Sequence, residues 1–176
     1  MKRIIFSSFV FLFVAFCLVE SVYGSIRIQH GPYLQNLKET EVTVVWLTDK
    51  PSIGWVELLP DDGTHFYAKE RPKYYDTTNG VKNTSKLHSV KLSGLKPGTP
   101  YRYRVYATEV LDHKGVEVLY GSTTGLDVWQ SEPPVFKTND ARKKETSFLV
   151  VNDIHGRTKD MTTLFNVGKI RLEFNL

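Results

Sequence analysis

Leu95-Lys96-Pro97-Gly98-Thr99-Pro100-Tyr101-Arg102-Tyr103-Arg104-Val105 is the stretch on which the fold turns. Proline fixes φ and glycine accepts φ > 0, so Pro97-Gly98 predicts a tight turn. Leu95 then falls beneath the turn as a core plug, and the Tyr101 hydroxyl can bond back to the loop backbone. From there Tyr101, Tyr103 and Val105 alternate with Arg102, Arg104 and Tyr106, the period of a strand with one buried face.

Working outward, similar runs fill the chain from Ser25 to Lys137. Glu41 to Thr48 places Val42, Val44 and Trp46 on one face. After a Pro51-Ser52 break, Ile53 to Leu59 reads as a second strand, carrying Trp55. Pro60-Asp61-Asp62-Gly63 is a turn, and His65 to Ala68 reads as a short strand. Arg71 to Lys86, polar and carrying Asn79-Gly80, reads as a long loop. Leu87 to Leu92 alternates again, with His88, Val90 and Leu92 on one side. Val116 to Tyr120 and Pro134 to Lys137 are weaker strands. Gly115, Gly121 and Gly125, with Ser122, Thr123 and Thr124, mark a loop-like insertion between them. Short strands with turn signals between them predict an all-β sandwich of about 100 residues. Trp46, Tyr101 and Tyr103 are expected in its core.

The whole chain has 176 residues, with 41% hydrophobic, 24% charged and 12% aromatic types. Those values fit a globular protein and exclude collagen, coiled coil and disorder. Cys17 is the only cysteine, which excludes a disulfide scaffold and a four-thiolate zinc site. The 23 basic residues face 19 acidic ones without a basic block, so no nucleic-acid partner is expected.

Residues 1–24 read as a secretory signal peptide. Lys2 and Arg3 precede an almost wholly apolar Ile4 to Val19, and Val22-Tyr23-Gly24 offers a cleavage site. The apolar run is short for a spanning helix of about 20 residues, so no stable membrane span is expected after cleavage. An uncleaved membrane anchor, against which the short apolar run weighs, and lipid attachment at Cys17 are the alternatives, although Phe16 is large for the residue before a lipid site. The expected location is secreted, periplasmic or cell envelope. Asn83-Thr84-Ser85 is a glycosylation acceptor only in a eukaryotic secretory route.

Residues 139–146 form a charged linker, and then the character changes. Phe148-Leu149-Val150-Val151 is a continuous apolar run, the mark of a strand buried on both faces of a parallel sheet. It ends in Asn152-Asp153-Ile154-His155-Gly156. Thr158 or Asp160 can cap a following helix that carries Met161, Leu164 and Phe165. Asp153 and His155 therefore fall at the carboxyl end of a parallel strand, the edge where open α/β sheets bind ligands. A carboxylate and an imidazole flanking one residue can grip one metal, and the pair suits zinc, iron or manganese. The plainer alternative is a solvated turn in which Asp153 helps to cap the helix.

Several of these stretches carry resemblances. The Leu95 to Val105 stretch resembles the entry to the sixth strand of a fibronectin type III domain, with Tyr101 as its tyrosine corner. Gly31-Pro32-Tyr33-Leu34-Gln35-Asn36, followed by Val42 to Trp46, resembles the opening of the purple acid phosphatase N-terminal domain. Asp153-Ile154-His155-Gly156 resembles the first motif of calcineurin-like metallophosphoesterases. The implied order is signal peptide (1–24), fibronectin-like sandwich (25–138), linker (139–146) and the start of an α/β metallophosphoesterase domain (147–176). The resemblance implies that Asp153 and His155 ligate one metal of a two-metal centre, which would polarise a phosphoryl oxygen and supply a metal-bound hydroxide. It implies phosphate esters as substrates and Fe, Zn or Mn as metals. A histidine in the first motif points to the wider metallophosphoesterase group, so a purple colour is not implied.

The family's later motifs, Gly-Asp and Gly-Asn-His followed by two histidine motifs, do not occur in these 176 residues. The sandwich histidines (His30, His65, His88, His113) match none of them and read as surface or core imidazoles. The expectation is thus an N-terminal fragment, inactive alone and not holding metal stably, with no complete catalytic set. Its residues 147–176 would expose Phe148, Leu149, Leu164 and Phe165 and be trimmed by protease back to about residue 140. The alternative reading is a non-enzymatic fibronectin-like adhesion or carbohydrate-binding module.

Overall fold

The computed structural model describes residues 24–126, 132–144, 156 and 158–174. The chain divides into two compact units, Met1–Asn139 and Asp140–Leu176.

The first unit is built around β2 (Glu41–Pro60), a strand of 20 residues. Its front half pairs antiparallel with β1 (Ile28–Gln35) on one side and β6 (Ser85–Ser93) on the other, placing Val44 opposite both Leu34 and Val90. Its rear half pairs with β3 (Lys73–Tyr75) and with β7 (Pro100–Lys114), placing Trp55 opposite both Tyr75 and Tyr106. The expected break at Pro51-Ser52 is therefore a change of sheet within one strand. Proline cannot donate to a ladder, so pairing lapses there, and Ser52 faces Ser85 in one layer and Glu109 in the other.

Inside, the two layers close on Val42, Val44, Trp46, Val56, Leu58, Val90, Leu92, Leu95, Tyr101, Tyr103, Val105 and Phe136. Trp46 and Leu92 are fully buried. Each large aliphatic side chain so buried contributes about 2 kcal/mol to folding. The expected corner is present: the Lys96 amide donates to the Tyr101 hydroxyl at 2.9 Å, and Leu95 is buried beneath. Tyr101 also stacks on Phe136 of β9 (Val135–Lys137), which pairs with the start of β7.

Elsewhere the structure corrects the reading. His65 to Ala68 is a turn rather than a strand, because Phe66 is drawn under two guanidinium groups, Arg71 at 5.9 Å and Arg104 at 5.8 Å. The Arg71 Nε also donates to the Phe66 carbonyl at 2.7 Å. The long loop contains β3 and a small hairpin of β4 (Thr77–Thr78) and β5 (Val81–Lys82). Asn79 and Gly80 both take positive φ, the geometry of a two-residue hairpin turn. The apparent insertion is largely β8 (Glu117–Gly125), paired along the outer half of β7. A register shift between Thr123 and Tyr120 takes up Gly121 and Ser122, a second one falls at Leu111 of β7, and the Thr108 and Thr123 hydroxyls bond across the pair at 2.8 Å.

In the second unit, helix α1 (Thr158–Phe174) follows Gly156, which takes a left-handed φ of 72°. Met161, Leu164, Phe165 and Val167 are exposed on it. The buried strand expected at Phe148 to Val151 lies outside the described residues.

Candidate functional site

The two residues expected to hold metal, Asp153 and His155, also lie outside the described residues. Among the described residues, no three His, Cys, Asp or Glu side chains converge to hold a metal ion. The four sandwich histidines are not brought together: His30, His65 and His113 are exposed and His88 is buried. No described helix is long and apolar enough to cross a membrane.

The fold does assemble two other groups of side chains. One lies where β2 changes sheet. Ser52 Oγ is 2.8 Å from His88 Nε2, and His88 Nδ1 is 3.5 Å from Asp76 Oδ2. The order of contacts is that of a serine–histidine–aspartate triad. Burial denies it that chemistry, because Ser52 and His88 are 0% exposed and no substrate can reach the hydroxyl. Ser52 Oγ is shared with Thr48 Oγ1 at 3.1 Å, and Asp76 accepts from the Asn83 amide at 2.8 Å. The group is a buried polar cluster at the seam of the two layers, in which Ser52 binds the His88 Nε2 while the His88 Nδ1 has, among the described residues, only the long contact to Asp76. Trp46 stacks on the His88 ring with centroids 5.0 Å apart. Gly54 makes room for both rings, since a Cβ there would come within 2.6 Å of each.

Burial holds the His88 imidazole below its usual range, and the neighbouring Asp76 opposes that shift without reversing it. His88 is thus neutral in the fold but free to charge on unfolding, where its pKa is about 6.5. As pH falls below that value the unfolded chain takes up a proton that the folded chain refuses. Stability should then drop by up to about 1.4 kcal/mol per pH unit until the folded pKa is passed. Urea denaturation between pH 8 and 5 checks this, and His88→Leu should flatten that part of the profile. Glu41 titrates in a separate, lower window. Hydrogen bonds from Lys38 and Lys91 bring its carboxyl to about 2, so its contribution is lost only as pH falls through the carboxylate range.

The second group is the outer face of the rear layer. There β3, β2 and β7 present one row of Tyr75, Trp55 and Tyr106 and a next row of Lys73, Glu57 and Arg104. Trp55 stacks on Tyr106 at 5.3 Å with planes 10° apart and tilts on Tyr75 at 5.8 Å. Lys73 Nζ lies 5.7 Å from the Trp55 ring centroid and Lys82 Nζ 3.8 Å from that of Tyr75. The Tyr67 and Tyr106 hydroxyls are 3.4 Å apart. Burial and that hydroxyl both push the Tyr106 phenol above its ordinary range. At the end of this face Arg102 anchors the 61–64 turn, 3.2 Å from Asp61 and 3.0 Å from Asp62. The sequence held one signal for this face: Trp55 and Tyr106 are large aromatics on the outward phase of strands whose inward phase is already apolar.

A two-layer sandwich of fibronectin-like build is the class these strands define. The family model described as "Purple acid Phosphatase, N-terminal domain" matches residues 31–138, and the chain belongs to that family. No curated protein matches the chain. Solved structures resemble it weakly. A computer-redesigned β-sandwich protein is 18% identical with a TM-score of 0.37, over 66% of this chain and 100% of that one. The sensor domain of the anti-sigma factor RsgI4 of Pseudobacteroides cellulosolvens, in its shorter form, is 12% identical with a TM-score of 0.37, over 67% and 98%. The chicken CNTN1 FN1–FN3 domains are 12% identical with a TM-score of 0.36, over 66% and 33%.

Proposed function

We propose that this chain supplies the N-terminal sandwich, and the first metal-binding motif, of an exported metal-dependent phosphoesterase acting on phosphate esters. The observation that carries the reading is membership of residues 31–138 in the purple acid phosphatase N-terminal domain family. The sequence Asp153-Ile154-His155-Gly156, reached after a charged linker, supports it. In this reading Asp153 and His155 ligate one metal ion, of iron, zinc or manganese, and residues 1–24 direct export. A carboxylate and an imidazole are two ligands where a two-metal centre needs about half a dozen. The chain by itself is therefore expected to hold metal weakly and to hydrolyse nothing.

Titration of the purified chain with Mn²⁺, followed by electron paramagnetic resonance, tests the ligand assignment. Weak binding is expected, lost in Asp153→Asn and in His155→Ala. Equal binding by all three proteins would remove both residues from the assignment. Hydrolysis of p-nitrophenyl phosphate by the chain above a metal-only control would overturn the expectation that it is inactive alone.

A further inference from the structure

We propose that the outer face of the rear layer, centred on Lys73, Lys82 and Tyr67, binds an anionic polysaccharide whose sugar rings carry carboxylates. The inference does not depend on the phosphoesterase reading.

Charge is distributed unevenly over the sandwich. Much of the surface is neutralised pairwise: Arg27 with Asp49, Lys38 and Lys91 with Glu41, Lys50 with Glu109, Arg102 with Asp61 and Asp62, and Lys114 with Asp112. Residues 65–86 differ. They hold Lys69, Arg71, Lys73, Lys82 and Lys86 against Glu70 and Asp76. Asp76 is buried toward His88, so its charge is spent inside the fold. Among the described residues none of the five cations has a carboxylate within 4.0 Å. Glu57 is an acidic group of this face. It stands opposite Lys73 in the β2–β3 ladder, yet its carboxylate takes the Trp55 indole N–H at 3.4 Å instead.

The lysines are also positioned. Lys73 and Lys82 lie over the rings of Trp55 and Tyr75, which restricts two long side chains that would otherwise be free. Less entropy is lost when such ammonium groups meet a ligand. On the 61–71 segment, Tyr67 is 48% exposed, and its hydroxyl beside that of Tyr106 offers donors and acceptors to sugar hydroxyls.

This arrangement selects against nucleic acid. Base stacking needs open ring faces. Here the Trp55 faces are taken by Tyr106, Tyr75 and Lys73. What remains accessible is ammonium groups and the half-exposed Tyr67 phenol, whose ring has Arg104 over it at 5.8 Å, a pattern for carboxylates and hydroxyls carried on a sugar backbone.

Affinity electrophoresis of the full chain in gels containing polygalacturonate, dextran or single-stranded DNA tests the proposal. Retardation by polygalacturonate is expected, with none by dextran and little by DNA. The Lys73→Gln/Lys82→Gln double variant should weaken binding by about tenfold. Tyr67→Ala should weaken it further, and Lys38→Gln, on an ion-paired lysine elsewhere, should leave it unchanged. Retained thermal unfolding would confirm that these surface variants are folded. Equal retardation by DNA would reduce the face to a general polyanion surface and overturn the proposal. Retardation by dextran, or none by polygalacturonate, would overturn it as well.

Discussion

Replacing Gly54 by alanine is expected to lower the unfolding free energy by about 3 kcal/mol, the upper part of the range for overpacking a core. The added Cβ would come within 2.6 Å of His88 Cγ, His88 Nδ1 and Trp46 Cζ2, well inside contact distance. Neither ring has an easy retreat. Ser52 holds His88 through Nε2, the two rings stack on each other, and both are fully buried. Relief requires the layers to part at the seam where β2 passes between them, which would also stretch the contact of Ser52 with His88. Gly63→Ala is the matched control. Gly63 has φ of 77° with nothing within 4 Å, so alanine there meets only the strain of a left-handed backbone, about 1–2 kcal/mol. Urea denaturation of both variants at pH 7.5 makes the comparison. A Gly54→Ala cost no larger than that of Gly63→Ala would mean that the rings do not meet at this glycine.

Trp46→Ala should cost about 4 kcal/mol, the usual figure for emptying a large buried aromatic site. Trp46 is 0% exposed, stacks on His88 and lies among Val42, Val44, Val90 and Leu92 of the core. The informative partner is Trp46→Phe. The indole Nε1 has no hydrogen-bond partner among the described residues. An unsatisfied buried donor itself costs about 1–3 kcal/mol. Phenylalanine removes that donor while keeping most of the ring, so its net cost should stay below about 1.5 kcal/mol. Chemical denaturation of the two variants provides the test. If Trp46→Phe proved as damaging as Trp46→Ala, the indole N–H would have a partner after all.

How far the fold was legible depended on phase. Val42, Val44 and Trp46, and likewise His88, Val90 and Leu92, are all buried as their two-residue alternation predicts. Pro97-Gly98 and Tyr101 predicted the corner because turn chemistry and the strand that follows are local. Where alternation was weak the reading failed. The strand read at Val116 to Tyr120 is present, but Gly121 to Gly125 looked like loop because glycine, serine and threonine make it up, yet β7 offered a free edge and the strand ran on through it. His65 to Ala68 looked like strand, but a buried Phe66 under Arg71 and Arg104 turned it. The metal-binding reading of Asp153 and His155 rests on sequence alone.

By itself, the sequence determined which side chains of the clearly alternating strands face inward, where the Pro97-Gly98 corner falls, and which family residues 31–138 join. Those properties are carried by neighbouring residues through steric limits on φ and ψ and through side-chain period. Tertiary structure alone decided that Pro51-Ser52 transfers β2 from one layer to the other. It also decided that Ser52, His88 and Asp76 meet in a sealed cluster, and that Lys73 and Lys82 lie over Trp55 and Tyr75. Each of those contacts joins different strands, so it depends on register and layer packing, which no local window of residues contains.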